Sequence, residues 1–259
     1  MNATVMDHNT IKCDSPPAFG WYKTELKRPM FYYLEITLDG NLYGGPAQKF
    51  SYYKEPELTA ISPTLGPIEG GTHVSISGAG FAQPAVCNMT VRFGNIYTRP
   101  IEYNGYEIHV ESPPVDISDA VVVAVGLNGQ QFTKDKTLHF RDEENTFYYY
   151  KNPEIYDFSP DKGLSNGGTV VKIRGRGFLP KKYENGTFIQ TPVYLRMLES
   201  DTRKPIAPTT KAEYVENEEV HWKAPPAPAG TKGIISLSLN NHQFYELYHR
   251  EKGYSFQYL

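Results

Sequence analysis

One stretch of sequence occurs twice in the chain, and this repetition limits the possible folds more than any other feature. Residues 56–81 read PELTAISPTLGPIEGGTHVSISGAGF, and residues 153–178 read PEIYDFSPDKGLSNGGTVVKIRGRGF. Half of the 26 aligned positions are identical, without a gap, at a constant offset of 97 residues. A repeat of this length indicates consecutive copies of one folded unit, each close to the usual size of a small domain.

A second shared pattern closes each copy. It reads YEIHVESPP, VGLNGQQF and FYYY in the first copy, and EEVHWKAPP, LSLNNHQF and FQYL in the second. The start of the chain contains only this closing pattern, as NTIKCDSPP, ITLDGNLY and FSYY. We therefore predict the second half of a unit at residues 1–54, a complete unit at 55–152, and a complete unit with loop insertions at 153–259. Such a start also predicts that the chain is a fragment of a longer protein.

The periodicity of the repeated segments predicts β-strands. THVSISG and TVVKIRG alternate apolar and polar residues, as do MTVRFG, YEIHVES and IISLSL, and a period of two is typical of a half-buried strand. LDG, LNG and NN stand where a tight turn would join two such strands. About seven short strands per unit and no sustained period of 3.6 predict an all-β chain, most simply tandem two-sheet sandwiches.

The glycines of the repeat fit turns better than a nucleotide site. Gly70 and Gly71 precede the first long strand, where a chain reversal needs backbone angles that favour glycine. The GxG pair at Gly78 and Gly80 is followed by neither a predicted helix nor a Lys-Ser/Thr pair, which a phosphate-binding loop requires.

The repeated frame S-P-x-x-G-x-x-x-G-G-T-x-V-x-I-x-G-x-G-F resembles the opening of an IPT/TIG domain, and the closing pattern is similar to its second half. This family is found in plexins and related receptors, in some transcription factors and beside the catalytic domains of some carbohydrate enzymes. The resemblance covers nearly the whole chain and implies tandem immunoglobulin-like sandwiches. The fold by itself names no function.

Neither the motifs nor the charge of the sequence indicates chemistry. The chain lacks the HExxH, CxxC, GxSxG and EF-hand patterns, so we predict no enzyme, cofactor or metal site. A net charge of −3 and a pI near 6.2 argue against binding to nucleic acid. The sequence also contains no run of eighteen apolar residues, the length that a helix needs to span a membrane.

The cysteines and the sequons point to different compartments. The resemblance implies that extracellular members pair a Cys before V-x-F-G with one before the SPP stretch. Cys87 precedes VRFG, but Val110 holds the partner position, and Cys13 stands in the incomplete N-terminal half. The missing pair favours a reducing, intracellular location or a sandwich that needs no disulfide. Sequons at Asn2, Asn88 and Asn185 leave an extracellular cell surface open as the alternative.

Exposed aromatic and basic residues in three loops are the candidate partner-binding residues, because such side chains are typical interface anchors. They are Trp21, Tyr22, Lys181, Lys182, Tyr183, Arg203 and Lys204. The alternative is that these are ordinary loops, with the Trp packed on a neighbouring unit.

From these observations we predict a non-catalytic structural and protein-binding segment, acting as a semi-rigid spacer in a cytoskeletal or ciliary assembly. The alternative is part of a cell-surface receptor or adhesion ectodomain. A DNA-binding or enzyme-accessory module fits less well, because it predicts a basic loop cluster or an aromatic carbohydrate platform.

Overall fold

The structure of the chain is a computed structural model that describes residues 3–17, 30–82, 88–133, 145–178, 181–184, 187–216, 218–247 and 255–259. The side chains of residues 181–190 and 214 are outside this description. No α-helix occurs within these ranges. The chain is all-β, as the sequence predicts.

The N-terminal part contains two separate antiparallel hairpins. The first joins β1 (Thr4–Val5) and β2 (Ile11–Lys12), and the second, called the N-terminal hairpin below, joins β3 (Met30–Thr37) and β4 (Tyr43–Tyr52).

The first sandwich packs a four-stranded sheet on a five-stranded sheet. Its strands are β5 (Glu57–Ser62), β6 (Leu65–Pro67), β7 (His73–Ala79), β8 (Thr90–Phe93), β9 (Ile96–Thr98), β10 (Glu102–Tyr103), β11 (Glu107–Glu111), β12 (Ala120–Gly126) and β13 (Thr146–Tyr150). The strand orders are β10-β11-β7-β5 and β6-β13-β12-β8-β9. Only β6 pairs in parallel, with β13, among these described strands.

The second sandwich repeats this topology. Its strands are β14 (Glu154–Ser159), β15 (Lys162–Gly163), β16 (Val170–Arg176), β17 (Lys181–Glu184), β18 (Thr187–Gln190), β19 (Tyr194–Glu199), β20 (Thr210–Lys211), β21 (Tyr214–Val215), β22 (Glu219–Lys223), β23 (Lys232–Ser238), β24 (Tyr245–Glu246) and β25 (Ser255–Tyr258). The sheets run β14-β16-β22-β21 and β15-β25-β23-β19-β20, with β24 on β23 and a separate hairpin of β17 and β18.

Alternation along the strands builds the two cores. In β7, Val74 and Ile76 are buried, and in β16 the side chains of Val171 and Ile173 are fully buried while their neighbours face solvent. Such strands are stabilised mainly by burying one apolar face against the opposite sheet.

The shared glycines have two structural roles. Gly70 and Gly71 have φ of 77° and 72°, as the turn interpretation predicts. Gly78 instead allows close packing, because a Cβ at this position would lie 2.1 Å from the carbonyl oxygen of Glu57. The Ser-Pro bonds at Ser62–Pro63 and Ser159–Pro160 are both cis.

The insertion of residues 179–192 in the second unit differs from the predicted loop. Part of it forms the β17–β18 hairpin, in which Lys182 lies opposite Ile189. The β-branched and aromatic residues of TFIQ explain this pairing.

Candidate functional site at the junction of two sandwiches

The two sandwiches meet with almost no connecting chain. Strand β13 ends at Tyr150 and β14 begins at Glu154, so only the three residues Lys151, Asn152 and Pro153 separate them. A linker of this length, with a proline, allows little relative movement by itself.

Apolar side chains of the first sandwich enter the core of the second. Leu65 and Tyr150 are 7% and 5% exposed, and both belong to the core cluster that includes Phe256 and Trp222 of the second sandwich. Tyr148 packs on the same cluster. The second hydrophobic core therefore includes residues of both sandwiches, and pulling them apart would expose apolar surface.

The hairpin turn between β23 and β24 of the second sandwich forms hydrogen bonds with the first sandwich. We call its residues Asn240 and Gln243 the second clasp, because they belong to the second sandwich. The Oδ1 of Asn240 accepts bonds from the backbone N–H groups of His242 at 3.0 Å and Gln243 at 2.9 Å. Its Nδ2 donates to Gln243 Oε1 at 2.8 Å and to the carbonyl oxygen of Leu65 at 3.2 Å. The amide of Asn240 thus fixes its own turn and binds the neighbouring sandwich.

Gln243 contacts the glycine-rich loop that the two copies share. Its Nε2 donates to the carbonyl oxygen of Gly70 at 3.2 Å, and its Oε1 accepts a bond from the Thr72 hydroxyl at 2.7 Å. Thr72 is fully buried at this contact. A buried polar group costs free energy unless it is hydrogen-bonded, and here each of these groups has a partner.

Two tyrosines complete the junction. The hydroxyl of Tyr245 donates to Oδ1 of Asn152 in the connection. Burial raises the pKa of Tyr245 to about 12. The pKa of Tyr150 is also raised, first by burial and then by the nearby Tyr245 and Glu69. Both phenols are therefore neutral at physiological pH.

The junction is suited to holding two bodies together rather than to chemistry. The amides of Asn240 and Gln243 and the hydroxyls of Thr72 and Tyr245 already form hydrogen bonds, whereas the buried hydroxyl of Tyr150 has no hydrogen-bond partner. Within the described residues, no group of three or more His, Cys, Asp or Glu side chains could hold a metal ion. The arrangement fixes a relative orientation.

The residues predicted from sequence as partner-binding lie elsewhere. Trp21 and Tyr22 are outside the described residues. Lys181, Lys182 and Tyr183 lie on β17, and their side chains are not described. Arg203 and Lys204 lie in the turn after β19.

Arg203 adopts a φ of 59° and forms an ion pair with Glu246, while Lys204 is exposed. Since Arg203 already has an intramolecular partner, it would have to exchange that pair to bind another protein. A partner-binding role for all of these residues stays a prediction.

Basic residues on the outer face of the second sandwich are also paired. Arg174 donates two bonds to Asp157, at 2.9 and 2.7 Å, and this contact raises its pKa. The bond from Arg176 lowers the pKa of Glu154.

Sequence reasoning missed the clasp, although a signal was present. LNGQQF and LNNHQF place Asn and Gln at the same positions of both units, as Asn128 with Gln131 and Asn240 with Gln243. We interpreted these residues as turn formers only. Their recurrence three positions apart is the pattern that indicates a shared contact.

These features define tandem immunoglobulin-like sandwiches joined through a common junction. The model of the IPT/TIG domain matches residues 56–140 and 153–258. Since this is well over half of the chain, the chain belongs to the IPT/TIG domain family.

A curated relative is Plexin-A4 of Danio rerio, 28% identical over 172 residues, which are 64% of this chain and 8% of that protein. The chain therefore spans only a small part of the relative it matches. The described residues contain no helix of the length and apolarity needed to cross a membrane.

Two solved structures are similar at low scores. The full extracellular region of plexin A4 has a TM-score of 0.47 at 18% identity, over 80% of this chain and 16% of that one. The FN1–FN3 domains of chicken CNTN1 have a TM-score of 0.32 at 14% identity, over 83% and 74%. Scores this low carry no argument about function.

Proposed function

We infer that this chain is a non-catalytic, protein-binding segment of a cell-surface receptor or adhesion ectodomain, in which it holds consecutive sandwiches in a fixed orientation. The junction is the observation that supports a spacer role. Leu65 and Tyr150 belong to the core of the next sandwich, and the second clasp holds the two sandwiches in one relative position by hydrogen bonds. Protein partners fit a scaffold of this kind.

The similarity to Plexin-A4 supports the location at the cell surface. It favours the alternative of the sequence analysis over the cytoskeletal or ciliary assembly and the intracellular compartment that we predicted there. The family's cysteine pair is missing from the sequence, but this is equally expected of a sandwich that needs no disulfide, so it does not weigh against the cell surface.

The sequon at Asn88 offers a direct test. Asn88, whose side-chain amide would carry the glycan, is exposed, and the sequon threonine Thr90 begins β8. For protein isolated from its native source, we expect an N-linked glycan on the peptide that contains Asn88, removable by peptide N-glycosidase and absent in Asn88→Gln. Thr90→Ser, which keeps the sequon, is the matched control.

The opposite result is equally clear. Exposed Cys13 is a free thiol. An unmodified Asn88 together with a Cys13 that reacts rapidly with a thiol reagent in the native protein would indicate a reducing compartment, and the cell-surface proposal would then be wrong.

A further inference from the structure

The turn between β10 and β11 contains an Asn-Gly pair in an exposed position. Asn104 is exposed, and Gly105 is half-buried, with no atom within 4 Å of the position that a Cβ would take. Glycine has no side chain and accepts many backbone angles, so its amide nitrogen can approach the side-chain carbonyl carbon of a preceding asparagine. The two residues can therefore react with each other.

Backbone donors surround the side-chain carbonyl oxygen of Asn104. Its Oδ1 accepts hydrogen bonds from the backbone N–H groups of Tyr106 at 2.8 Å and Glu107 at 2.9 Å. Two preorganised donors of this kind stabilise the negative charge that develops on a carbonyl oxygen when a nucleophile attacks its carbon. The turn thus favours attack at Cγ of Asn104.

The two nitrogen atoms that would take part have no competing bonds. In the part of the chain that the structure describes, neither the backbone N–H of Gly105 nor Nδ2 of Asn104 donates a hydrogen bond to the protein. The Gly105 nitrogen would be the nucleophile, and Nδ2 would be the leaving group. Neither atom has to give up a bond within the protein before the reaction begins.

The other two described Asn-Gly pairs are restrained at these same atoms. In the pair that begins at Asn166, the N–H of Gly167 donates to the carbonyl oxygen of Leu164 at 2.9 Å, so the nucleophile is held. Asn128 Nδ2 donates to Gln131 Oε1 at 2.7 Å, so the leaving group is held there. Each of these pairs must break one hydrogen bond before it can react.

We propose that Asn104 is a modification site, which converts through a cyclic imide with Gly105 into aspartate and isoaspartate. The Gly105 nitrogen loses its proton to hydroxide and attacks Cγ of Asn104, which closes a five-membered ring. The bond between Cγ and Nδ2 breaks, and Nδ2 takes up a proton from water and leaves as ammonia. No group is oxidised or reduced in this step.

Water then opens the imide at one of its two carbonyl carbons. Attack at Cγ breaks the new bond to the Gly105 nitrogen and leaves an aspartate in an unchanged main chain. Attack at the main-chain carbonyl carbon of residue 104 breaks the original peptide bond, and the main chain then runs through the former side chain as isoaspartate. The two products therefore carry the same charge but differ in the length of the backbone.

The aspartate product is compatible with the turn, because the second sandwich has a carboxylate at the equivalent position. Glu216 holds that position, and its N–H donates to the carbonyl oxygen of Glu219 at 2.8 Å, as the N–H of Asn104 does to Glu107 at 2.9 Å. A carboxylate oxygen can also accept the two backbone bonds that Oδ1 of Asn104 accepts.

The isoaspartate product does not fit, because it lengthens the main chain by one carbon. The carbonyl oxygen of Tyr106 accepts a bond from the N–H of Gly78 at 2.8 Å, and that of Gly105 accepts one from Phe81 at 3.4 Å. Phe81 is 0% exposed in the first core. An extra carbon after residue 104 would move both carbonyls away from their donors, so isoaspartate should destabilise the first sandwich.

The test incubates the purified chain at alkaline pH and follows each Asn-Gly pair by peptide mapping with mass spectrometry. Methylation by an isoaspartyl methyltransferase identifies the isoaspartate product. We expect Asn104 to convert about fivefold faster than Asn128 or Asn166, the effect of the one hydrogen bond that must break at each of those sites. The fourth pair, at Asn185, lies outside the described residues and is mapped separately. Conversion at Asn104 that is no faster than at Asn128 and Asn166 would overturn the proposal.

Urea and Gly105→Ala separate the effect of the folded turn from that of the local sequence. Unfolding in urea removes the bonds that restrain Asn128 and Asn166, so we expect the three rates to become similar. Gly105→Ala places a methyl group beside the nucleophile without contacting other residues, and it should slow conversion several-fold at Asn104 alone. A ranking that persists in urea, or conversion indifferent to Gly105→Ala, would also overturn the proposal.

Asn104→Asp is the matched control for the structural consequence, because it adds the charge of the products without lengthening the main chain. We expect Asn104→Asp to unfold at the same urea concentration as the wild type, and the chromatographically separated isoaspartate fraction to unfold at a lower one. Equal midpoints for the two would contradict the effect assigned to the longer backbone. The proposal goes beyond the receptor segment proposed above, and its failure would leave that function unaffected, because no glycan or thiol enters these measurements.

Discussion

At the scale of single residues, the repeated glycines are required by backbone angle, by space or by both. Gly71 has a positive φ and open space around it, whereas Gly78 and Gly175 lie where two strands and a phenylalanine converge. Gly70 combines both constraints, because its φ is 77° and a Cβ there would lie 2.7 Å from the carbonyl oxygen of Ser112.

Gly78→Ala should destabilise the first sandwich. The added Cβ would lie 2.1 Å from the Glu57 carbonyl oxygen and 2.6 Å from Cζ of Phe81, and overpacking of this kind costs about 1–3 kcal/mol. Urea unfolding measures the loss. At Gly105 a Cβ would meet no atom within 4 Å, so Gly105→Ala is the control, and equal losses in the two variants would contradict the packing explanation.

Tyr258 should make stability fall at alkaline pH. Burial raises its pKa to about 12, above the value near 10 of an unfolded tyrosine. A raised pKa favours the neutral phenol in the folded state, so this contribution is complete below pH 10 and is lost as the pH rises from 10 to about 12. Tyr258→Phe should remove this part of the alkaline loss, as measured by urea unfolding at several pH values.

The same variant should cost about 1 kcal/mol near neutral pH, because the bond to the Pro225 carbonyl is lost. Tyr52→Phe deletes the matching bond to Pro16 at an exposed site and should cost less. An unchanged pH profile in Tyr258→Phe would show that another group causes the alkaline loss.

At the scale of elements, one antiparallel strand pair occurs three times, as β3–β4, β12–β13 and β23–β25. Its strands, ring pairs and tyrosine bonds are alike in the N-terminal part and in both sandwiches. What changes within the described residues is the opposite sheet, which is described for the two sandwiches and not for β3 and β4. These residues therefore allow one local structure to be compared at buried and at exposed positions.

Substituting alanine for the phenylalanine of each strand pair should cost different amounts of stability in the three environments. Phe147→Ala and Phe256→Ala remove fully buried rings and should each cost about 3–5 kcal/mol. Phe50→Ala removes a ring that is 41% exposed and should cost about 1 kcal/mol or less. Chemical unfolding of the three variants measures this, and a large loss for Phe50→Ala would show that its face is covered.

The same comparison shows where sequence reasoning succeeds and where it ends. Alternation in THVSISG and TVVKIRG is enough to predict β7 and β16, because successive side chains of a strand point to opposite faces and every second residue is buried. Phe50 and Phe147 occupy equivalent sequence positions, yet their exposure differs, because the sheet that covers Phe147 lies elsewhere in the chain. The contact between Asn240 and Leu65 joins residues 175 positions apart, and no local pattern encodes its partner.

At the scale of the whole molecule, the shared core decides how the sandwiches move. Leu65 and Tyr150 contribute to the second core, so the first sandwich cannot unfold or swing away without exposing apolar surface of the second. The equivalent of Leu65 in the second unit is Lys162, which is exposed. Among the described residues, the same position is therefore apolar at the junction and charged where no neighbouring sandwich is described.

Leu65→Lys should uncouple the two sandwiches without unfolding either one. The second sandwich carries lysine at the equivalent position, so the fold itself tolerates lysine there. At the junction, the substitution would lose the burial of a leucine side chain, which stabilises the contact by about 2 kcal/mol. It would also bring an ammonium group into an apolar contact. We expect one calorimetric transition in the wild type and two in the variant. Spin labels on β8 and β19 should report a broader distance distribution. Lys162→Leu, the reciprocal change at an exposed position away from the junction, should alter neither readout. A single transition in Leu65→Lys would mean that the second clasp alone couples the sandwiches.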